Sequence, residues 1–474
     1  MTLTRRDLLA AAAATVTAGA SGLAQTPAAP VDPTKVRGRA ARPVGQRART
    51  EPMQRVARGA TASGTPHQDL MGIITPSDLH FERHHGGVPD IDPQHYGLLV
   101  HGMVERPMMF TLADLKRFPS VSHIHFIECS GNLGRTAGPE TTPGQLAGLT
   151  STSEWTGVPL STIFKEVGVS PKASWFLAEG MDAAKLTRSI PVSKALADGF
   201  IAYGQNGEAI RPEQGYPARL FLPGWEGNTH VKWLRRIELS DKPFMTREET
   251  SKYTEPYRNG TSRMFSFAMD ARSLITSPAY PRTLERGWVE IAGIAWTGAG
   301  RIRRVDVSTD GGATWSAATL QEPVLSKAHT RFRFMWNWTG GDAVLMSRAV
   351  DETGYVQPTR AALLAQRGPG TTTYHLNPIT GWVVRADGSV IYKEKRRGRD
   401  ASLAPCLPSR SGVWHSPHPR SLSRVRRRSP QYQRHPLALA REPVRSCAGI
   451  KATSALRHWA RRNRPPKSPH GTTM

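Results

Sequence analysis

From about Tyr257 to Tyr392 the chain reads as one strand after another, and this run constrains the fold more than any other feature. The segments "WVEIAGIAW", "IRRVDVSTDGGATWSAATL", "FRFMWNW" and "AVLMSRAVD" alternate apolar and polar residues. A period of two buries one face of a strand and leaves the other to solvent. Asp310-Gly311-Gly312 supplies a hairpin turn, because glycine reaches positive φ at little cost. Such strands at near-regular spacing predict an immunoglobulin-like sandwich over residues 255–394.

Upstream the pattern changes. "HYGLLVHGMV", "SHIHFIEC", "ARLFLPG" and "HVKWLRRIEL" read as strands, whereas "TLADLKRF" and "PLSTIFKEVGV" read as short helices. This mixture predicts an α+β domain over residues 69–254. Residues 25–68 are rich in Pro, Ala, Arg and Gly and read as a linker or loosely packed arm.

The two ends differ from the middle. At the N-terminus, Arg5-Arg6 precede a weakly apolar Ala-rich run, with small-residue cleavage patterns at Ala18-Gly19-Ala20 and Gly22-Leu23-Ala24. Residues 1–24 therefore read as a twin-arginine signal for the periplasm, too short and Ala-rich to span a bilayer. That route carries proteins already folded, often around a cofactor. No other segment approaches a membrane span. At the C-terminus, residues 396–474 hold 18 Lys and Arg against 2 Asp and Glu, so +16 of the net +25 sits there. This Arg-, Pro-, Ser- and His-rich tail, residues 395–474, has no apolar period and is expected to be disordered. It carries no recognised nucleic-acid module, so binding of nucleic acid is not expected. The abrupt change of composition favours an extension without function, such as a slip of reading frame.

The chain has three cysteines, Cys129, Cys406 and Cys447, and only Cys129 falls in the expected folded region. There is no C-x-x-C-H haem site and no zinc-type cysteine pair. Alternation puts His123, His125 and Cys129 on one strand face, but His125 and Cys129 are about 13 Å apart at strand rise. They cannot share a tetrahedral ion without a bend. A lone strand cysteine is most often a small buried hydrophobe. The chemical alternative is a thiolate, a soft ligand, holding one metal whose remaining ligands come from a cofactor.

Five segments, in order, carry a resemblance: "FERHHGGVPDIDP", "HFIECSGN", "EGMDAAKLTRSIPVSKAL", "GYPARLFLPGWEGNTHVKWLRRIEL" and "RRVDVSTDGGATW". Together they resemble the sulfite-oxidase family of molybdenum enzymes over roughly Asp69 to Tyr392. The "ECSGN" variant, the export signal and "YHLNPITGWVVRADGSV" are similar to the branch that oxidises sulfur in the periplasm with a c-type cytochrome subunit. The resemblance implies a molybdopterin-binding domain followed by an immunoglobulin-like dimerisation domain. It implies one molybdenum held by a pterin dithiolene and by Cys129. Pterin contacts then fall on Phe81, Glu82, Arg83, His84, His85, Asp182, Gln214, Arg219, His230, Val231 and Lys232. Arg219, His230 and Lys232 suit the pterin's phosphate. Asp182 suits its amino-pyrimidine edge, and Gln214 stands where relatives often have His. Arg235 and Arg236 read as ordinary inter-strand charges.

For the reaction, the resemblance implies oxidation of a sulfur centre with oxygen from water. Arg83 and Arg367 would meet an anionic substrate, Tyr253 would move protons and electrons, and Trp155 would line the pocket. Arginine can grip two oxygens in a way lysine cannot. With no haem motif in the chain, a c-type cytochrome is the expected electron acceptor. Sulfite-oxidising relatives follow the cysteine turn with paired arginines, as in "CAGNRR". Here Leu133 and Gly134 stand there, and Arg135 comes one position late. That loss favours a sulfane sulfur on a carrier-protein cysteine over free sulfite. A sulfite dehydrogenase is the alternative within the family. A secreted, non-catalytic immunoglobulin-like binding protein is the alternative outside it, but it leaves Cys129 and the export signal without a purpose.

Overall fold

The computed structural model describes residues 33–35, 37, 40–134, 137–257, 259–368 and 374–393. The signal, the basic tail and Arg135 lie outside the described residues.

The first half is built from two five-stranded sheets. In one, Thr150–Pro159 lies between Val121–Glu128 and Phe200–Gln205, and Arg219–Phe221 pairs with the latter. In the other, Leu234–Ser240 runs between Leu98–Gly102 and Trp175–Gly180. Helix Leu160–Val167 follows its strand directly. It buries Leu160, Ile163, Phe164 and Val167, the 3–4 spacing that puts one stripe on the core. Helix Leu112–Arg117 opens with a capping box, in which Thr111 and Asp114 satisfy each other's backbone N–H groups.

The second half is the expected sandwich. A four-stranded sheet has the order Arg272–Ser277, Gly287–Trp296, Thr330–Trp338, Thr319–Gln321. A five-stranded sheet centres on Ile302–Ser308, Ala343–Asp351 and Gly381–Val384. Every pairing is antiparallel. Ile291, Phe332, Val305, Leu345 and Trp382 from both sheets meet in one core. Gly311 and Gly312, at φ 78° and 99°, make the turn predicted for them.

Two expectations differ from the structure. The arm over 25–68 is packed from Val56 onward: Val56–Ala57, Ala62–Gly64 and Glu82–Arg83 form a three-stranded sheet, and Thr65 and His67 are buried. Its Pro and Gly content hid two- and three-residue strands, one of which, Ala62–Gly64, also pairs with the distant Glu82–Arg83. The strand expected over "HVKWLRRIEL" begins only at Leu234. Before it, Gly227–Thr229 is a 3-10 turn and Trp233 sits at φ 52°, a left-handed break that alternation of side-chain type cannot reveal. No helix among the described residues is long and apolar enough to cross a membrane.

Candidate active site

Val121–Glu128 ends at the mouth of a cavity of about 390 Å³, and Cys129 is in its wall. This volume is within the usual range for a small-molecule or cofactor site. Strand pairing fixes the cysteine on one side, where its N–H donates to the Leu149 carbonyl at 2.9 Å. On the other side the chain turns at once, and Asn132 N–H donates to the Cys129 carbonyl at 2.9 Å. Glu128, fully buried, anchors the strand end to the second half of the chain. It accepts from Trp296 Nε1 at 2.7 Å and Asn132 Nδ2 at 2.9 Å, and pairs with Arg272. Gly227 closes in from the opposite strand connection. A Cβ there would lie 2.8 Å from the Glu128 carbonyl oxygen and 3.3 Å from Cys129 N, so only glycine fits.

Burial pushes the Cys129 thiol above its ordinary value. A thiolate in this place needs a cation beside it.

Cations crowd the cavity. Arg58, Arg83, Arg219 and Lys232 all line it. Burial, with Arg219 nearby, pulls Lys232 down to about 7, and burial pulls Arg219 down to about 9. Lys232 Nζ spends two of its hydrogens on the carbonyls of Arg83 and Glu213, at 3.0 and 2.8 Å. Arg219 donates to the carbonyls of Gln214 and His230, at 2.8 and 2.9 Å. Its Nε, with His84 Nδ1 and Asn228 Oδ1, is buried without a hydrogen-bond partner among the described residues. Buried polar atoms without partners are costly and rare. Arg219 Nε calls for an acceptor and Asn228 Oδ1 for a donor, so a ligand bearing both would suit them.

The residues suggested by the resemblance divide into two groups. Phe81, Arg83, His84, His85, Asp182, Gln214, Arg219, His230, Lys232, Cys129 and Tyr253 share this one cavity. Asp182 Oδ1 accepts from Leu186 N–H at 3.3 Å, and Gln214 Nε2 donates to the Phe81 carbonyl at 2.8 Å. Glu82 is not in the wall: it pairs with Arg55 and His84, each at 3.1 Å. Val231 is fully buried in the adjoining apolar core. Trp155 does not line the pocket either. It is buried against Phe221, with the Arg219 guanidinium 5.2 Å above its ring. Arg367 lies behind the cavity, paired with Glu255 at 3.2 Å and donating to the His375 carbonyl at 3.0 Å.

His230 lines the cavity but does not offer the charged hydrogen bond expected of it. Its Nδ1 receives the Leu222 N–H at 3.3 Å, so that nitrogen is an acceptor. Its Nε2 is 3.1 Å from the Trp225 carbonyl, which can only accept, so that nitrogen carries the hydrogen. Burial holds the ring neutral. His125 stacks on Phe221, and burial lowers it to about 4, so its ring is neutral. Arg235 and Arg236 pair across the sheet with Glu179, as read.

Sequence reasoning missed the charged chain behind the cavity. Arg188 joins Glu249 at 2.7 Å to Glu226 at 2.9 Å, and His375 joins Glu226 at 2.7 Å to Glu255 at 2.6 Å. It also missed Arg58, Thr61, Asn228 and Tyr374 in the wall. Asn228 and Tyr374 lie within segments that carry the resemblance, whereas Arg58 and Thr61 come from the arm.

Comparison with known proteins agrees with this geometry. Residues 85–248 match the family described as oxidoreductase molybdopterin binding domain, and 263–381 match the Mo-co oxidoreductase dimerisation domain. The chain is 43% identical to a chain in the crystal structure of the sulfane dehydrogenase SoxCD from Paracoccus pantotrophus. The TM-score is 0.73, with 76% of this chain and 96% of that one covered. It is 30% identical to sulfite oxidase of Gallus gallus, over 64% of this chain and 72% of that protein. It is also 30% identical to NADH nitrate reductase of Ulva prolifera, over 62% of this chain but only 39% of that protein's length.

Proposed function

We propose that this chain, which belongs to the sulfite-oxidase family of molybdopterin-dependent oxidoreductases, oxidises a sulfane sulfur carried on a protein cysteine. When bound, the molybdenum cofactor supplies two-electron oxidation of sulfur with oxygen derived from water. The residues fit it: a thiol as soft ligand, buried cations for a phosphate, and unpaired polar atoms for the pterin edges. In this reading Cys129 holds the metal. Arg219 and Lys232 hold the phosphate, and Asp182, Gln214 and His84 orient the pterin. Arg83 meets the substrate, and Tyr253 passes protons at its hydroxyl.

One observation carries the choice of substrate. Leu133, directly after the cysteine turn, is 8% exposed and packs in the core with Phe126 and Trp296. No charge can be presented from that position. A small dianion gains no cation from that position, which supports a bulkier sulfur substrate. Arg58 and Arg83 in the wall favour free sulfite as the second reading. The relatives' architecture supports a homodimer through the sandwich domain, and the paired arginines at the N-terminus support periplasmic export. A c-type cytochrome would take the electrons one at a time.

The test compares cytochrome c reduction by the full protein on a carrier-bound persulfide and on sulfite. The proposal predicts kcat/KM at least about tenfold higher for the carrier, a margin worth about 1.4 kcal/mol. Equal or higher activity on sulfite would replace it with the second reading.

A further inference from the structure

The cation expected at the site from the sandwich domain, Arg367, is occupied elsewhere. The side chain this half of the protein does bring to the cavity, among the described residues, is Tyr374. Its ring centre lies 5.1 Å from that of Tyr253, so two tyrosines stand together beside Cys129. Neither hydroxyl has a hydrogen-bond partner among the described residues. A phenol with its hydrogen unspent, in a cavity wall, is a donor waiting for a ligand acceptor.

What fixes Tyr374 is its neighbour. His375 sits at φ 52°, in the left-handed region that a residue with a side chain avoids unless held there. It is held from four directions. Its Nδ1 is 2.6 Å from Glu255 and its Nε2 is 2.7 Å from Glu226. Its N–H donates to the Ser130 carbonyl at 2.8 Å, one residue past Cys129, and its carbonyl accepts from Arg367 at 3.0 Å. The same Glu226 binds Arg188, whose guanidinium lies 5.1 Å from the Tyr253 ring. One carboxylate thus sets the position of both tyrosines.

We propose that Tyr374 is a substrate-facing residue whose hydroxyl donates to the bound sulfur substrate, and that His375 is the positioning residue that keeps it there. This rests on the oxidoreductase reading above. It adds the part of the wall the sandwich domain builds, a hydrogen-bond donor in place of a guanidinium. Burial alone would discharge His375, but Glu226 and Glu255 hold it protonated, to about 9. Arg188, Arg367 and Arg263 face the same carboxylates, and Glu249 and Asp270 face those arginines.

The experiment uses the full, cofactor-loaded protein and whichever sulfur compound the wild type turns over. Variants are Tyr374→Phe, His375→Gln and the double. A donor that grips substrate and transition state alike acts on KM, whereas loss of folded or loaded enzyme acts on kcat. Tyr374→Phe should raise KM about tenfold, with kcat within about twofold and molybdenum and pterin content unchanged. His375→Gln should do the same, although its side chain lies outside the cavity. The double variant should lose no more than either single, because both remove one contact. If His375→Gln does not accumulate, Glu255→Gln, which removes one of its two bridges, takes its place with the same expected result. Unchanged KM in Tyr374→Phe, or losses that multiply in the double, would overturn the proposal. An inactive wild type would instead refute the oxidoreductase reading.

Discussion

An imidazole between two carboxylates stays protonated where a lone one does not, and His375 has Glu226 and Glu255 on either side at 2.7 and 2.6 Å. Its value rises from 6.5 to about 9, because the two carboxylates outweigh burial. The folded state therefore binds this proton more tightly than the unfolded chain does. The resulting stability is complete below pH 6.5 and is lost as pH rises through about 9. Glu255 has the opposite sign. Burial alone would raise it, but His375, Arg367 and Arg263 hold it at about 2, against 4.5 in the free side chain. Its contribution is present above pH 4.5 and is lost as pH falls toward 2. Lys232 and Arg219, lowered by burial, act with the opposite sign over the same window and act in wild type and variant alike, so the thermal midpoints of wild type and His375→Gln are to be compared at each pH. The gap between them should shrink from about pH 7 to about pH 10. A gap unchanged to about pH 10 would mean His375 is not charged in the fold. Little of this was legible in the sequence. The thiol and the cavity cations announce themselves through motif order, but Glu128 finds Arg272 across 144 residues, and Glu226 finds His375 across 149. A buried ion pair leaves no periodic trace in either partner's segment.

The elements position the cysteine through close approach of two segments. The end of Val121–Glu128 and the turn at Gly227–Thr229 pass so near each other that a methyl group would meet the Glu128 carbonyl oxygen at 2.8 Å. Gly227→Ala should push the cysteine strand outward, cost about 1–3 kcal/mol, and lower the molybdenum bound per chain. Metal analysis alongside a denaturant melt checks it, and full loading at wild-type stability would contradict it. Long, apolar-rich strands were readable, as at Gly287–Trp296 and Ala343–Asp351. The turn that makes the site was not, because "HVKW" alternates like a strand while Trp233, at φ 52°, breaks one. The short strands of the arm were hidden for another reason. Two or three residues carry no period, and Ala62–Gly64 becomes a strand only between its neighbours Val56–Ala57 and Glu82–Arg83.

At the scale of the whole molecule, the cysteine belongs to both halves of the fold. The first half supplies the strand, the cations and most of the cavity wall. The sandwich supplies Arg272 and Trp296 behind Glu128, and Tyr374 in the wall. The order of the two halves was legible because their hydrophobic periods differ, whereas their joint hold on one cysteine required the structure. The proposed function stands on a bond between the sulfur of Cys129 and the molybdenum. X-ray absorption at the molybdenum edge, on the full protein and on Cys129→Ser, reads that bond. The variant should show one fewer sulfur neighbour, with pterin retained and turnover lost. The same sulfur count in both proteins, with undiminished turnover in the variant, would contradict it.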